Sequence, residues 1–121
     1  MKIVNTIELH PNDKLLDVAC GPGTLLFKIY TLHPSLKLTG LDIDPEILEI
    51  ARKKSKGQSG IQFIEASATQ MPLKDKSFDV ITSTLAFHHL TTQQKQDALS
   101  EICRLLKPGG TFWLFDFAKP T

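Results

Sequence analysis

Cysteine is scarce in this chain of 121 residues, which contains only two, Cys20 and Cys103. They lie far apart and belong to no CxxC or Cys/His pattern, so we expect neither a disulfide framework nor a metal site. Apolar runs of membrane-spanning length are also lacking, and the first residues, MKIVNTIELHPND, have no apolar core of the signal-peptide kind. We therefore expect a cytoplasmic protein without a membrane span.

An excess of charge of either sign is lacking as well. Fourteen lysine and arginine residues stand against thirteen aspartates and glutamates, which gives a formal net charge of +1 at pH 7. The one basic run, residues 52–56, closes a predicted helix, where cations favour the helix dipole. No nucleic-acid partner is expected from such a balance. The length predicts a single domain over residues 1–121.

Short apolar runs recur along the chain. Runs without polar alternation are typical of strands buried on both faces of a parallel sheet. Five are present, at residues 15–19, 36–43, 61–65, 78–85 and 111–117.

Helical patterns separate these runs. They cover residues 24–32, residues 44–54 with Asp44 as N-cap, and a third segment that starts with a capping box between Thr91 and Gln94. The motif KPGG, residues 107–110, is predicted to stop the last helix and turn the chain. The segment from Ser67 to Ser77 fits either a loop or a short helix. Alternating strands and helices predict a doubly wound α/β sheet.

The stretch DVACGPGT, residues 17–24, places two glycines and a proline between the first predicted strand and the first predicted helix. In a doubly wound sheet, ligands bind beyond the carboxyl ends of the strands, near the first strand. Glycine there allows the backbone to approach a ligand, and the helix N-terminus offers unpaired N–H groups. The second strand ends in Asp42, whose carboxylate can accept hydrogen bonds from both ribose hydroxyls of an adenosine. Together these features predict a nucleoside-containing cofactor.

The residues around the glycines discriminate between such cofactors. A dinucleotide fingerprint, GxGxxG, requires glycine where the chain has Leu26, and the GK[ST] of a phosphate-binding P-loop is missing. Asp17, an acid directly before the turn, is poorly placed beside a pyrophosphate but suits a ligand with an ammonium group. These features favour S-adenosylmethionine, which has an ammonium, a carboxylate and a ribose, over a nicotinamide dinucleotide.

Four segments, LLDVACGPGT, LTGLDIDPEIL, IQFIEASATQMPLKDKSFDVI and EICRLLKPGGTFWLFDF, follow one another between about residues 14 and 117. In type and order they resemble the motifs of class I S-adenosylmethionine-dependent methyltransferases, particularly the ubiquinone and menaquinone biosynthesis branch. The resemblance implies a Rossmann-like, mostly parallel sheet of about five strands in the order 3-2-1-4-5, with helices on both faces. It also implies S-adenosylmethionine as cofactor and methyl transfer to a small-molecule acceptor by in-line displacement.

Carried over by position, the resemblance implies a cofactor site. Asp17 and the turn residues would hold the methionine end, Asp42 the ribose, Ile43 the face of the adenine and Ser67 with Ala68 its edge. Thr84 and Leu85 would border the reactive methyl. The turn residues meant here are Ala19, Cys20, Gly21 and Gly23.

These assignments have competing interpretations. Asp17 can instead fix the glycine turn, Asp42 can cap the next helix, and Ile43 can belong to the core. Two positions depart from the family pattern, because Ala19 stands where glycine is common and Ser67 where an acid often accepts from the adenine amino group. An uncharged acceptor predicts weaker cofactor binding.

Two histidines in AFHHL, His88 and His89, follow the fourth strand and are the candidate catalytic residues. A sulfonium is already a good leaving group, so catalysis rests mainly on alignment of the acceptor and exclusion of water. A general base is needed only for an acceptor that must lose a proton. The alternative is that one histidine packs locally while the other is solvated.

The family's sheet continues past strand five with a helix and two more strands, which this sequence lacks. The strand from Thr111 to Phe117 would then be a sheet edge with unpaired backbone groups, so we expect self-association or a partner chain to cover it. Three functions follow from the sequence. They are an active methyltransferase, a non-catalytic S-adenosylmethionine-binding module or truncated remnant, and a nicotinamide-dependent oxidoreductase, which Leu26 and Asp17 disfavour.

Overall fold

The computed structural model describes residues 7–56, 60–84 and 89–115. The elements are β1 (Lys14–Val18), α1 (Thr24–Leu32), β2 (Lys37–Asp42), α2 (Pro45–Lys54), β3 (Ile61–Glu65), β4 (Phe78–Thr84), α3 (Thr92–Leu105) and β5 (Leu106–Phe115). The five strands form one sheet in the order β3-β2-β1-β4-β5, and every neighbouring pair is parallel. The predicted fold class and strand order are confirmed.

The central strand β1 supplies apolar side chains to both faces of the sheet. Leu15 belongs to a buried cluster that includes Leu26 of α1 and Leu48 of α2. Its neighbour Leu16 points to the opposite face and packs with Ile102 of α3. Helices therefore cover both faces, and burial of apolar surface on each side provides most of the driving force for folding.

Two helices begin at the predicted caps. The side chain of Asp44 accepts hydrogen bonds from the backbone N–H groups of Glu46 and Ile47, at 2.9 and 3.4 Å. Thr91 and Gln94 form the reciprocal capping box at the start of α3, with distances of 2.9 and 3.1 Å. In both cases the side-chain oxygen satisfies N–H groups that have no partner within the helix.

The sequence predicts that the motif KPGG ends the helix and forms a turn before strand five. In the structure the motif lies within β5. Helix α3 ends at Leu105, and β5 begins directly at Leu106 rather than at Thr111. Phe78 pairs with Leu106 and Val80 with Thr111, so residues 107–110 bulge out opposite a single residue of β4. Proline and glycine permit this bulge, since Gly109 has a φ of 83°. The last two residues of the predicted strand lie outside the described residues.

The segment from Ser67 to Ser77 contains turns and one isolated bridge, between Ser67 and Gln70, and no helix. Of the two structures that the sequence left open, the loop is therefore the one observed. Across residues 7–56, 60–84 and 89–115, none of the helices has the length and apolarity needed to cross a bilayer.

Candidate functional site

A cavity of about 260 Å³ lies at the carboxyl ends of β1, β2 and β3. Six of the predicted site residues line it, namely Ala19, Asp42, Ile43, Ser67, Ala68 and His89. Two larger cavities, of about 540 and 320 Å³, open at the opposite end of the sheet, around Lys37 and Asp79 respectively, and none of the predicted site residues lines them. Because parallel sheets bind ligands at their carboxyl ends, the smaller cavity is the candidate site.

The turn between β1 and α1 is built from residues in the left-handed region. Ala19, Gly21 and Gly23 have φ values of 62°, 57° and 87°. A Cβ on Gly23 would lie 2.9 Å from the ring of Phe27, whereas a Cβ on Gly21 would have no neighbour within 4 Å. Glycine is thus required at Gly23 by both backbone and space. The left-handed Ala19 also explains why glycine is common at that position of the family pattern.

Asp42 holds this turn to the end of β2. Its Oδ2 accepts a hydrogen bond from the Gly21 N–H at 2.9 Å, and its Oδ1 accepts one from the Asp44 N–H at 3.0 Å. The cap of α2 is Asp44, so the interpretation of Asp42 as the helix cap is wrong. Each carboxylate oxygen has a second lone pair, which leaves Asp42 able to accept from the hydroxyls of a ribose.

Asp17 is 1% exposed and stands near the end of β1, just before the turn, and it is not among the residues that line the cavity. Its Oδ1 accepts a hydrogen bond from the Thr82 hydroxyl at 2.7 Å. Its Oδ2 is the one buried side-chain oxygen or nitrogen that has no hydrogen-bond partner among the described residues. The alternative role of Asp17, fixing the glycine turn, is therefore not observed, since the turn is bonded to Asp42 instead.

The environment of Asp17 disfavours a negative charge. Burial and, to a smaller extent, the nearby charge of Asp42 raise its pKa, the hydrogen bond from Thr82 lowers it, and the net result is a pKa of about 7. A carboxylate in this position is suited to pair with a cation, because the cation would both neutralise its charge and donate a hydrogen bond to Oδ2.

Cys20 is buried beside these two acids. Burial, followed by the charges of Asp17 and Asp42, raises the pKa of the thiol to about 12. The thiol therefore stays protonated and is not a nucleophile. A Cβ on Gly40 would lie 2.8 Å from the Cys20 sulfur, so this glycine in β2 makes room for the turn.

Residues predicted to meet the adenine lie on the cavity wall. Ile43 is 69% exposed, so the interpretation of Ile43 as a core residue is wrong. The Ala66 N–H donates to the Asp42 carbonyl at 3.0 Å and places Ser67 near the end of β2. The Ser67 hydroxyl accepts from the Thr69 N–H at 3.1 Å and lies 2.7 Å from the Thr69 hydroxyl. Ser67 thus forms a local turn, and Thr69 adds a second hydroxyl to the wall.

The residues predicted around the reactive methyl are only partly described. Thr84 is the last residue of β4, and His89 lies on the cavity wall just before α3. Leu85 and His88 lie outside the described residues. Their roles, like the other residue assignments of the site, stay predictions.

Sequence reasoning missed two polar residues near the carboxyl end of β4. Thr82 and Ser83 are both 0% exposed. Thr82 donates to Asp17, and the Ser83 hydroxyl donates to the Val18 carbonyl at 2.9 Å. Two adjacent hydroxyls in a strand with buried neighbours on both faces are a signal, since each needs a hydrogen-bond partner there.

The loop that carries Ser67 is anchored to α3 by Arg104. The guanidinium donates to the carbonyl groups of Met71 and Leu73 at 2.9 and 2.7 Å and to the Asp75 carboxylate at 2.8 Å. It also contacts Glu101 at 2.6 Å, and Glu101 in turn accepts from the Met71 N–H at 2.7 Å. The fork of Arg104 thus fixes several points of the loop at once.

Known methyltransferases are similar to this chain over most of its length. A family model described as a methyltransferase domain matches residues 15–110. The ubiquinone/menaquinone biosynthesis C-methyltransferase of Ectopseudomonas mendocina is 36% identical over 122 aligned positions, which cover 95% of this chain and 47% of that protein. The demethylmenaquinone methyltransferase of Thermus thermophilus is 33% identical and is covered to 48%, for 88% of this chain.

A solved structure has the same fold. The crystal structure of the YcgJ protein from Bacillus subtilis superposes with a TM-score of 0.81 at 30% identity, over 93% of this chain and 47% of that one. The chain spans about half the length of these similar proteins. The predicted family, the Rossmann-like fold and S-adenosylmethionine as the cofactor are confirmed. By its match over residues 15–110, the chain belongs to the methyltransferase domain family.

Proposed function

We propose that this chain binds S-adenosylmethionine at the carboxyl ends of β1, β2 and β3, for methyl transfer to a small-molecule acceptor. The observation that carries the proposal is the buried Asp17, whose Oδ2 is unpartnered and which stands in β1 two residues before the left-handed Ala19 of the turn. An ammonium group satisfies both the charge and the hydrogen bonding of that oxygen. The residues present therefore fit the cofactor.

The chain's residues divide the work of binding. Asp17 offers a carboxylate to the amino-acid end, and the turn from Ala19 to Gly23 offers backbone without bulky side chains. Asp42 accepts from the ribose hydroxyls, and the exposed side chain of Ile43 covers the adenine face. Bound S-adenosylmethionine supplies a methyl group on a sulfonium, which leaves readily. The contribution of the protein is therefore to align the acceptor and to exclude water.

A proton acceptor is required when the methyl acceptor is a hydroxyl, an amine or an acidic carbon. His89 lies on the wall of the same cavity and is the described residue that suits this role. His88, the other predicted candidate, keeps its proposed role on sequence grounds alone.

Two relatives support a small organic acceptor of the quinone-precursor type. One is named for ubiquinone and menaquinone biosynthesis and the other as a demethylmenaquinone methyltransferase. No described feature favours the non-catalytic module or the nicotinamide-dependent oxidoreductase. The cytoplasmic location and the absence of a nucleic-acid partner stay predictions.

The edge of β5 supports the proposal that another polypeptide covers it. The described part of the chain has no strand on the side of β5 away from β4, and Leu114 is 44% exposed there. Unpaired edges with large apolar side chains associate readily. Light scattering at micromolar concentration should reveal self-association or, after co-purification, a bound partner, and a stable monomer would contradict the proposal.

Calorimetric titration of S-adenosylmethionine tests the proposed function. The wild-type protein should bind it, and Asp42→Ala should weaken binding by about tenfold or more, because both the ribose contact and the Gly21 bond are lost. Glu65→Ala is a matched control, since Glu65 ends the neighbouring strand opposite Asp42 and does not line the cavity. NAD should not bind. A folded wild-type protein that fails to bind S-adenosylmethionine would refute the proposal.

A further inference from the structure

Asp17 and Thr82 form a buried polar pair across two neighbouring strands. The two residues are register partners in the parallel pairing of β1 with β4. Asp17 is 1% exposed and Thr82 is 0% exposed, and the Thr82 hydroxyl donates to Asp17 Oδ1 at 2.7 Å. On the other side of β1, the register partner of Asp17 is Gly40, which has no side chain to offer. Thr82 is therefore the side chain that orients the carboxyl.

Packing in the core does not account for a buried polar pair at this position. A carboxyl buried with one oxygen unpaired is costly, and an apolar residue at this position would pack against the same neighbours without that cost. The hydroxyl of Thr82 occupies Oδ1 and leaves Oδ2 without a partner. An arrangement that satisfies one oxygen and leaves the other vacant suits a ligand that supplies a charged donor to the second.

We propose that Thr82 is a positioning residue that holds Asp17 Oδ1, so that Oδ2 is left for the ammonium of the cofactor, and that binding releases the Asp17 proton. This inference rests on the proposed function. The protonated carboxyl gives its proton to solvent, and the ammonium keeps its own protons and donates to the carboxylate. One proton is therefore released for each ligand bound by the protonated form.

The groups around Asp17 explain why ligand binding is coupled to proton release. The titratable group that acts on it is Asp42 at the end of β2, and Asp17 acts in turn on the Cys20 thiol; neither of these neighbours contributes a positive charge. Thr82 does not titrate, and α1 contributes apolar side chains such as Leu26 to that face. Burial and Asp42 raise the pKa of Asp17 to about 7, so the ligand-free protein is partly protonated at neutral pH.

The protonation state of Asp17 determines how cofactor affinity changes with pH. Below about pH 7 the carboxyl must lose a proton before it can pair with the ammonium, so affinity should fall by up to about tenfold for each pH unit. Above that pH the carboxylate is already charged, and affinity should level off. A ligand without the ammonium should show no such dependence.

The test compares two ligands at about pH 6 and about pH 8 by calorimetry. S-adenosylhomocysteine keeps the amino-acid end, and 5′-methylthioadenosine keeps the adenosine without it. We expect affinity for the first to fall at the lower pH and affinity for the second to stay constant. Equal pH dependence for both ligands would overturn the inference, because the titrating group would then lie elsewhere.

Two variants address Thr82 itself. Thr82→Val keeps the shape but loses the hydroxyl, so affinity for S-adenosylhomocysteine should drop about tenfold at pH 8 and its pH dependence should move upward. Thr82→Ser keeps the hydroxyl and should restore the wild-type profile. A valine variant that folds and matches the wild type in affinity and pH profile would overturn the positioning role.

A third measurement does not depend on any variant. Titration of the wild-type protein near pH 6 in buffers of different ionisation enthalpy should reveal release of about one proton per bound S-adenosylhomocysteine. No proton release in a protein that binds the ligand would refute the coupling and leave the proposed function standing. A folded protein that binds S-adenosylhomocysteine at no pH would refute both.

Discussion

Asp17 and Glu101 are two acidic residues with opposite surroundings. Glu101 on α3 accepts from the guanidinium of Arg104 and from the Met71 N–H, and these bonds hold its pKa below the ordinary value. Asp17 on β1 accepts from one neutral hydroxyl, and burial raises its pKa to about 7. Glu101 is neutralised and hydrogen-bonded by the protein itself, whereas Asp17, among the described residues, has one oxygen without a partner and no positive charge beside it. The difference separates a structural anchor from the proposed binding site.

The two acids should act on stability in opposite pH ranges. Glu101 stabilises the fold when it is ionised, so its contribution is lost as the pH falls through its lowered pKa. Asp17 binds its proton more tightly in the folded state than in the unfolded state, so its contribution is present at acidic pH and is lost as the pH rises to about 7. Stability and the proposed pairing with the cofactor therefore favour opposite protonation states of Asp17.

Substitution of Asp17 should give the largest effect. In Asp17→Asn the buried charge is gone, so at pH 8 the ligand-free variant should be more stable than the wild type by about 4 kcal/mol, from a pKa raised by about three units. The gain should shrink towards pH 4, and affinity for S-adenosylmethionine should fall. Urea denaturation at both pH values measures this. Glu65→Gln, at an exposed strand end, is the control and should change little. A less stable Asp17→Asn at pH 8 would contradict the comparison.

Removal of Arg104 should give the next largest effect, with the opposite sign. Arg104→Ala leaves two backbone carbonyl groups and two carboxylates without their donor, and the partly exposed site lets water replace some of these bonds. The free energy of unfolding at neutral pH should fall by about 2 kcal/mol in urea denaturation. Arg52→Ala, which removes one exposed bond to the Phe63 carbonyl, should cost far less. Equal losses in the two variants would mean that the contacts of Arg104 stabilise the fold no more than a single exposed hydrogen bond does.

Local rules predicted much of the fold from the sequence. The caps Asp44 and Thr91 obey short-range hydrogen-bonding rules, and the parallel strands follow from apolar runs that are buried on both faces. The strand limits of 61–65 and the helix limits of 24–32 agree with the structure residue for residue. Asp42, Ser67 and His89 reached one cavity because sheet topology brings strand ends together.

Contacts between distant segments were beyond such rules. The bulge at residues 107–110 depends on the register of β5 against β4, which no local pattern fixes. Arg104 lies on a helix whose sequence gives no sign that its guanidinium reaches the carbonyl of Leu73. The partner of Asp17, Thr82, is 65 residues away along the chain and is brought to it only by strand pairing.

Backbone strain gives a smaller contrast inside the candidate site. Gly23→Ala meets both a φ of 87° and the ring of Phe27, whereas Gly21→Ala meets a φ of 57° in open space. We expect losses of about 1.5 and about 1 kcal/mol in the free energy of unfolding, measured by thermal or urea denaturation. Equal losses would show that Phe27 shifts aside without cost, and the left-handed backbone would then account for the whole effect.

Ala19→Gly should give the smallest effect on the free energy of unfolding. It should be a gain, whereas the two glycine substitutions give losses. Ala19 has a φ of 62°, so a glycine relieves left-handed strain in the folded state but adds freedom to the unfolded chain. The two terms nearly cancel, and we expect a gain of about 0.5 kcal/mol in urea denaturation. Lys76→Gly is the counterpart in the loop anchored by Arg104, since Lys76 has a φ of 53°. Similar gains would mean that both regions carry the same backbone strain, so that the unpaired Asp17, and not the turn, would distinguish the candidate site from the loop. A clear loss in Ala19→Gly alone would instead assign the Ala19 methyl group a packing role in the cavity wall.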